Sequence, residues 1–253
     1  MPPTDRTAVV TGASRGVGRA TALRLAADGV DVLVHCAGNE AAAQTVVKQI
    51  HADGGRAAVA RADFSDATAV DELIHAIEAH LNGRGLHILV NNAGVLDGTP
   101  FEHVTADAFD SSHTVNVRAP FLLTQQALPL LNDGGRIINI TSAVTRIASP
   151  FLHYAMNKAA LETMAHTLAN LLGARRITVN SVAVGTLDTD MGSWVRSAPG
   201  LEASVVSTIA FGRLGTPEDI AEVVAFLASN AAGWITGATL DASGGQWLGP
   251  PAA

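Results

Sequence analysis

The regular alternation of short apolar runs with longer amphipathic stretches is the feature that most constrains the fold of this chain. Helices that cross between parallel strands produce this alternation, so the sequence predicts an α/β fold with a parallel sheet and helices on both faces. No composition shift marks a boundary, and we expect one domain over residues 1–253. The seven runs with strand character are residues 8–10, 32–34, 57–60, 87–90, 136–140, 177–182 and 238–241.

Two segments depart from this simple alternation. Residues 106–131 have the pattern of one long helix, and we expect a bend near Pro120 because proline removes a helical hydrogen bond. Residues 186–212 have no clear period and contain Gly192, Pro199 and Gly200. We expect this segment to form a mobile substrate-binding flap with a helical piece.

The charge balance and the cysteine count exclude several functional classes. The chain has 16 basic and 23 acidic side chains, a formal net charge of −7, which argues against nucleic acid or an anionic membrane as a partner. A single cysteine, Cys36, excludes an internal disulfide and a zinc cluster, and we expect no metal site. The first eleven residues contain Asp5 and Arg6 and do not resemble a secretory signal, so we expect a soluble cytoplasmic protein.

A glycine-rich turn, residues 11–18 (TGASRGVG), follows the first strand and opens the first helix. Gly12 permits a tight turn, Gly16 lets the backbone approach a pyrophosphate, and Gly18 lets the helix pack on the strand. The N–H groups of the turn and the positive end of the helix would then face the phosphates. A plain structural turn is the alternative. The predicted cofactor-binding residues of this turn are Gly12, Ser14, Arg15, Gly16, Val17 and Gly18.

The residues after the second strand indicate which dinucleotide would bind. An NAD site usually has Asp or Glu there to hold the ribose hydroxyls, and residues 35–38 contain no acid. Arg15 could meet a 2′-phosphate, so we expect NADP(H) rather than NAD(H), with a solvated Arg15 as the alternative. Asp63 and Phe64, after the third strand, are predicted to contact the adenine. Asp63 could instead cap the helix that begins near Asp66.

Tyr154 and Lys158 are spaced four residues apart in a predicted helix, which places both side chains on one face. A free phenol has a pKa of about 10 and is a poor base at neutral pH. A nearby ammonium group stabilises the phenolate and lowers that pKa, so the pair is a plausible general acid and base. An ordinary pair on a helix surface has the same spacing.

Four motifs in this order resemble those of the short-chain dehydrogenase/reductase family, in its short single-domain branch. They are the glycine turn, Asn91-Asn92-Ala93-Gly94, Ser142 after the fifth strand, and Tyr154-x-x-x-Lys158. The resemblance extends over residues 7–246, and residues 212–221 are similar to those of β-ketoacyl carrier-protein reductases. It implies a Rossmann-type doubly wound sheet in the order 3-2-1-4-5-6-7, with the site at the carboxyl ends of the strands.

The resemblance also implies a role for each matching residue. Tyr154 would be the general acid and base, Lys158 would bind the nicotinamide ribose, and Ser142 would orient the carbonyl group. Asn116 would hold a water molecule that links Lys158 to solvent. The further cofactor contacts that the family implies are Asn92, Ala93, Gly94, Gly185 and Thr189.

Four residues are predicted to border the substrate because they neighbour the catalytic motifs or lie in the flap: Val144, His153, Leu187 and Trp194. Trp194 could instead pack against a neighbouring subunit. In the family, helices equivalent to the one that carries Tyr154 pair across subunits, so we expect a homo-oligomer, a tetramer or a dimer.

We therefore expect an NADP(H)-dependent oxidoreductase that transfers hydride between nicotinamide and a carbonyl or secondary alcohol. Two alternatives share the fold: a non-catalytic NADP-binding sensor, which would not need the proton-transfer residues, and an NAD-preferring alcohol dehydrogenase. A sugar epimerase or dehydratase of the longer family branch would have an extra C-terminal domain. An enoyl reductase relative would space its Tyr and Lys further apart.

Overall fold

The computed structural model describes residues 4–249, which contain one seven-stranded sheet. All neighbouring strands pair in parallel in the order β3-β2-β1-β4-β5-β6-β7, which confirms the predicted fold class and topology. The strands are β1 (Thr7–Val10), β2 (Asp31–Cys36), β3 (Ala57–Arg61), β4 (Leu86–Asn91), β5 (Leu131–Ser142), β6 (Thr178–Val184) and β7 (Thr239–Ala242).

Helices cover both faces of the sheet. The helices are α1 (Gly16–Ala27), α2 (Glu40–Ala52), α3 (Ala69–Leu81), α4 (Ala106–His113), α5 (Ala119–Ala127), α6 (Leu152–Leu171), α7 (Leu201–Val206) and α8 (Pro217–Ala228). One apolar core joins the sheet to α1, α2 and α8, and a second core joins it to α3, α5 and α6. Within the described range, no helix has the length and apolar character that a membrane span requires.

Consecutive residues of the central strands enter different cores. Val9 packs in the core with α3, α5 and α6, whereas Ala8 and Val10 pack in the core with α1, α2 and α8. Every residue of β1 and β2 is buried. A sheet covered on both faces requires apolar residues at successive positions, which explains why these strands lack polar alternation.

The prediction of one continuous helix over residues 106–131 is wrong. One π-helical turn, Thr114–Arg118, separates α4 from α5. The Ala119 N–H donates to the Thr114 carbonyl, five residues back, directly before Pro120. Because Pro120 has no N–H to donate, the regular pattern of helical hydrogen bonds cannot continue through it. The irregularity therefore lies in the turn before the proline.

The segment 186–212 contains two short helical pieces, the 3₁₀ turn Ser193–Arg196 and α7. Leu187 forms an isolated parallel bridge with Gly215, and Ile209 forms an isolated antiparallel bridge with Gln246. Both stems of the segment are therefore joined by backbone pairing to residues outside it.

The carboxyl ends of the strands collect the segments that the sequence analysis singled out. The glycine turn follows β1, residues 92–94 follow β4, Ser142 ends β5 and Gly185 follows β6. Because the strands are parallel, these four segments lie at the same edge of the sheet.

Candidate active site

A crevice of about 850 Å³ opens at this edge of the sheet. Its walls come from the glycine turn, the residues after β4, the end of β5, the start of α6 and the flap, residues 186–212. Within residues 4–249, no group of His, Cys, Asp and Glu side chains is arranged to hold a metal ion. The predicted site residues that line the crevice are Gly12, Ser14, Arg15, Gly16, Val17, Asp63, Phe64, Asn92, Ala93, Gly94, Ser142, Val144, Tyr154, Lys158, Gly185, Leu187, Thr189 and Trp194.

The glycine turn has a backbone that glycine alone adopts without strain at two positions. The φ angle is +63° at Gly12 and +53° at Gly16. A Cβ atom on Gly18 would lie 2.3 Å from the Gly12 carbonyl oxygen. Gly18 therefore permits close packing of α1 on the turn and does not itself line the crevice.

Hydrogen bonds to the loop after β4 hold the glycine turn in place. The Thr11 hydroxyl accepts the backbone N–H groups of Asn92 and Ala93, both at 2.9 Å. Asn92 Nδ2 donates to the Thr11 carbonyl at 2.7 Å. The amide of Asn92 thus braces the turn, and these bonds set the spacing between the two loops.

Tyr154 and Lys158 lie one turn apart on the buried face of α6. Lys158 Nζ is 5.6 Å from the centroid of the Tyr154 ring and donates a 3.0 Å hydrogen bond to the Ile140 carbonyl. The Ser142 side chain is near enough to the Tyr154 hydroxyl to lower the pKa of the phenol. Tyr154 is 8% exposed and Lys158 is 3% exposed, which excludes the alternative of an ordinary surface pair.

Burial dominates the titration of the phenol, so the net shift of its pKa is upward and not the downward shift that the spacing from Lys158 predicts. Desolvation raises the pKa of Tyr154 to about 12, against a lowering by the Ser142 hydrogen bond. Burial also lowers the pKa of Lys158 to about 8, so the amine is already neutral at the pH where the phenol titrates. At pH 7 the site therefore holds a protonated phenol beside an ammonium group.

Asn116 is the buried residue of the π-helical turn and does not line the crevice. Its Nδ2 donates to the carbonyls of Val95 and Ser112, both at 2.9 Å. A Cβ atom on Gly94 would lie 2.8 Å from Asn116 Oδ1 and 3.1 Å from Lys158 Nζ. The two polar atoms therefore face the same space beside Gly94, an arrangement compatible with the predicted water link.

Two arginines line the crevice beside the glycine turn. Arg15 is exposed and forms a 3.2 Å ion pair with Asp190 of the flap. Arg19, which the sequence analysis missed, donates to Gln49 Oε1 at 2.9 Å. Arg19 is four residues beyond Arg15, so helical spacing alone was the signal that could have found it.

Asp63 and Phe64 lie where β3 leads into α3. The Asp63 carboxylate accepts the Ser65 N–H at 3.0 Å and the Ser65 hydroxyl at 2.8 Å, and these bonds lower the pKa of Asp63. Thr68, not Asp63, is the residue that precedes α3, so Asp63 does not cap this helix. Phe64 stacks on His35 with ring centroids 4.7 Å apart.

The structure corrects one of the four predicted substrate residues, His153, which does not line the crevice. The His153 ring is buried, with Nε2 3.9 Å from Asp97 Oδ2. Successive side chains of a helix point about 100° apart, so the residue before Tyr154 faces another direction. Phe151, which the sequence analysis missed, does line the crevice and packs edge-on against Trp194 with ring centroids 5.7 Å apart.

Gln246, a residue outside the recognised motifs, ties both stems of the flap to the turn after β7. Its Oε1 accepts the Thr186 N–H at 2.8 Å, and its Nε2 donates to the hydroxyls of Thr186 and Thr208 at 3.0 and 3.3 Å. Gln246 is buried. Because these partners are 60 and 38 residues away in the chain, local sequence patterns contain no signal for them.

Comparisons with known proteins agree with this geometry. Residues 12–246 match the family model described as enoyl-(acyl carrier protein) reductase. An uncharacterised oxidoreductase of Methylorubrum extorquens is 43% identical over 243 residues, which cover 95% of this chain and 97% of that protein. The 3-oxoacyl-[acyl-carrier-protein] reductase of Synechocystis sp. is 37% identical over 247 residues, which cover 96% of this chain and 97% of that protein.

Among solved structures, the angucycline C-6 ketoreductase LanV with bound NADP is 47% identical, with a TM-score of 0.92 and coverage of 97% of each chain. A second LanV structure, with NADP and rabelomycin, has a TM-score of 0.89 at 47% identity and covers 97% of this chain and 98% of that chain. This chain therefore belongs to the short-chain dehydrogenase/reductase family of oxidoreductases, as its motifs predict.

The burial of Lys158 predicts a specific dependence of stability on pH. The unfolded chain keeps a proton on this amine up to its ordinary pKa of 10.5, whereas the folded protein releases it near 8. Between these values the unfolded state binds more protons, so raising the pH stabilises the folded state. We expect the free energy of unfolding, from urea titrations, to rise between pH 8 and 10 in the wild type.

The same titrations on two variants isolate the amine responsible. Lys158→Met should remove the rise and should add stability at pH 7 by up to about 3 kcal/mol, since no charge is then buried. Lys48→Met is the matched control, because Lys48 is the other lysine of the chain and is exposed on α2. A wild-type stability that stays level or falls from pH 8 to 10 would contradict the assignment.

Proposed function

We propose that this protein is an NADPH-dependent ketoreductase, which transfers a hydride and a proton to the carbonyl group of a small molecule. The observation that carries the proposal is the buried pair of Tyr154 and Lys158 in the wall of the crevice that the glycine turn also lines. Burying an ammonium group with a single backbone acceptor is costly, so a purely structural role does not account for Lys158.

The crevice suits a nicotinamide dinucleotide. Gly12 and Gly16 shape a turn whose backbone a phosphate can approach closely, and Arg15 and Arg19 supply positive charge beside it. The volume of about 850 Å³ lies within the range of small-molecule sites, about 300–1,000 Å³. When bound, the cofactor supplies the hydride. The further residues that we propose to contact it are Ser14, Val17, Asp63, Phe64, Asn92, Ala93, Gly94, Gly185 and Thr189.

Tyr154 is the proton donor in the reduction. A pKa of about 12 keeps the phenol protonated at pH 7, so its hydroxyl can donate to the carbonyl oxygen as negative charge develops there. Ser142, which lines the same crevice and lowers the pKa of this phenol, orients the carbonyl group. The Lys158 ammonium stabilises the phenolate that proton transfer leaves behind. Asn116 holds the water through which the proton is replaced.

The two alternatives of the same fold each lack support from the site. A non-catalytic NADP sensor would not require Ser142, Tyr154 and Lys158 to meet in one wall. An NAD-preferring alcohol dehydrogenase usually has an acid after the second strand, and residues 37–39, which line the crevice there, are Ala, Gly and Asn.

Replacing Tyr154 with Phe tests the proton donor. We expect Tyr154→Phe to lower kcat by about 10²–10⁴-fold, because the general acid is removed while the ring and its packing are kept. The dissociation constant of NADPH, from fluorescence titration, should change little, and the melting temperature serves as the control for folding. Turnover close to that of the wild type would refute the role of Tyr154.

Replacing Arg15 with Leu tests the cofactor preference. A guanidinium that pairs with a 2′-phosphate contributes a charge-assisted hydrogen bond, so Arg15→Leu should weaken NADPH binding by about tenfold. NADH lacks that phosphate, and its dissociation constant for the same variant is the internal control. Tighter binding of NADH than of NADPH by the wild type, or an equal loss for both cofactors, would contradict the preference.

We further propose that the substrate is a ketone on a fused aromatic ring system. The lining of the crevice includes Phe151 and Trp194, which meet edge to face, and the apolar residues Leu96, Val144 and Met191. Rabelomycin bound to LanV supports the same class of substrate.

A comparison of three substrates tests this class. We expect kcat/KM for tetralone to exceed that for cyclohexanone and for a small β-keto thioester by about tenfold, since an aromatic contact contributes about 0.5–1.5 kcal/mol. Trp194→Ala should lower kcat/KM for tetralone and leave that for cyclohexanone nearly unchanged. A preference for the thioester, or an equal loss for both ketones, would exclude the aromatic class.

We also propose that the protein acts in the cytoplasm as a homo-oligomer, a tetramer or a dimer. The apolar side chains Phe121 on α5 and Leu152 and Met156 on α6 are exposed, and α6 is the helix expected to pair between subunits. Burial of these side chains against a second copy of the chain would be favourable.

A further inference from the structure

Both ring nitrogens of His35, at the end of β2, are used in hydrogen bonds of opposite direction. The Gly12 N–H donates to Nδ1 at 3.1 Å, and Nε2 lies 2.8 Å from the Ala62 carbonyl oxygen. A backbone N–H can only donate and a carbonyl can only accept. The pattern therefore assigns the neutral tautomer in which Nδ1 accepts and Nε2–H donates.

The surroundings of His35 keep the ring in this neutral state. The residue is buried, and burial lowers its pKa to about 4, although the nearby Asp63 carboxylate acts in the opposite direction. One face of the ring stacks on Phe64 at an interplanar angle of 25°. The ring thus cannot turn without breaking two hydrogen bonds and an aromatic contact.

His35 holds the glycine turn by its main chain as well. Its carbonyl accepts the Ala13 N–H at 2.8 Å, so two successive N–H groups of the turn are bound to one residue. On its other side, Ala62 directly precedes Asp63 and Phe64, which line the crevice. His35 is therefore the link between the two loops on either side of the adenosine end of the proposed cofactor site.

We propose that His35 is a positioning residue for NADPH, which holds the glycine turn in its binding conformation through the hydrogen bond from the Gly12 N–H to Nδ1. This inference rests on the proposed function, since it concerns the cofactor of the same site. Thr11 and Asn92 hold the turn from the side of β4, and His35 holds it from the side of β2. A turn fixed from both sides is ordered before the cofactor arrives, so binding costs less conformational entropy.

If the ring of His35 only filled space, an apolar ring would serve equally well at this position. An apolar ring such as Phe would fill the same space and stack on Phe64 equally well. It would leave the Gly12 N–H and the Ala62 carbonyl without their partners, and unpaired buried groups are expensive. A histidine at this position is explained by its two hydrogen bonds, in which one ring nitrogen accepts and the other donates.

Three substitutions separate these roles, since each keeps a different part of the side chain. His35→Asn places an acceptor oxygen near the position of Nδ1, so it can keep the Gly12 bond. His35→Gln places a donor near the position of Nε2, so it can keep the Ala62 bond. His35→Phe keeps the ring that stacks on Phe64 and loses both bonds.

We expect the dissociation constant of NADPH, from fluorescence titration, to stay within about threefold of the wild-type value in His35→Asn and to rise about tenfold in His35→Gln and His35→Phe. In the cofactor-free proteins, amide hydrogen exchange of residues 11–18 should be faster in His35→Gln and His35→Phe than in His35→Asn. This second readout does not depend on catalysis or on cofactor.

Cys36→Ala is the matched control, because Cys36 is the next residue of β2, is buried and does not line the crevice. It should lower the melting temperature and leave the dissociation constant of NADPH unchanged. The proposal is overturned if affinity simply follows melting temperature across all four variants, with His35→Asn, the smallest replacement at this position, binding worst. If His35→Asn does not fold, the comparison of His35→Gln with Cys36→Ala decides, and equal affinities there overturn the proposal.

The role proposed for His35 and the proposed ketoreductase function are refuted by different results. A wild-type protein that binds no NADPH would refute the ketoreductase assignment. The exchange rates of residues 11–18 would still test whether His35 holds the turn, and equal rates in His35→Asn and His35→Gln would refute that.

Discussion

The ammonium group of Lys158, held inside the protein beside the Tyr154 ring, is the interaction on which the site depends. The fold supplies it with one acceptor, the Ile140 carbonyl at 3.0 Å, and removes most of its contact with water. Desolvation lowers the pKa of the amine to about 8 and raises that of the phenol to about 12. At neutral pH the phenol therefore stays protonated and the amine stays charged, which is the state that the proposed carbonyl reduction uses.

The parallel sheet is what brings the other parts of the site to this pair. Its strand order places the loops after β1 and β4 side by side, and the ends of β5 and β6 follow along the same edge. Hydrogen bonds from Thr11 and Asn92 on one side and His35 on the other fix the glycine turn in this arrangement. Residues of the flap line the crevice, and Gln246 anchors both stems of the flap. The part of the crevice beside the glycine turn and the part beside Tyr154 are thus held by neighbouring strand ends of one sheet.

Local patterns in the sequence predicted the parallel sheet and the shared helix face of Tyr154 and Lys158, and the family resemblance supplied the strand order. The strands of a doubly covered sheet are apolar at successive positions, and the spacing of Tyr154 and Lys158 places them on one helix face whatever the helix packs against. The glycine turn follows from the conformations that Gly12 and Gly16 permit.

The remaining features depend on contacts between distant residues. The flap anchor at Gln246 joins residues that are 60 and 38 positions apart in the chain. The pKa of Tyr154 was misjudged for the same reason, because spacing indicates a neighbouring charge and does not indicate the depth of burial. Phe151 was missed because its role comes from meeting Trp194 of the flap.

The titration of the phenol is the most direct test of this account, and the sequence leaves only one tyrosine to contribute to the signal. Tyr154 is the one tyrosine of the chain, so the absorbance change of tyrosinate reports this residue alone, with Tyr154→Phe as the blank. The account predicts that the folded, cofactor-free protein shows no tyrosinate until the pH exceeds 10, the ordinary value for a phenol. Ionisation of Tyr154 near neutral pH in the folded protein would contradict it, because the residue would then be a phenolate base and not the buried proton donor described above.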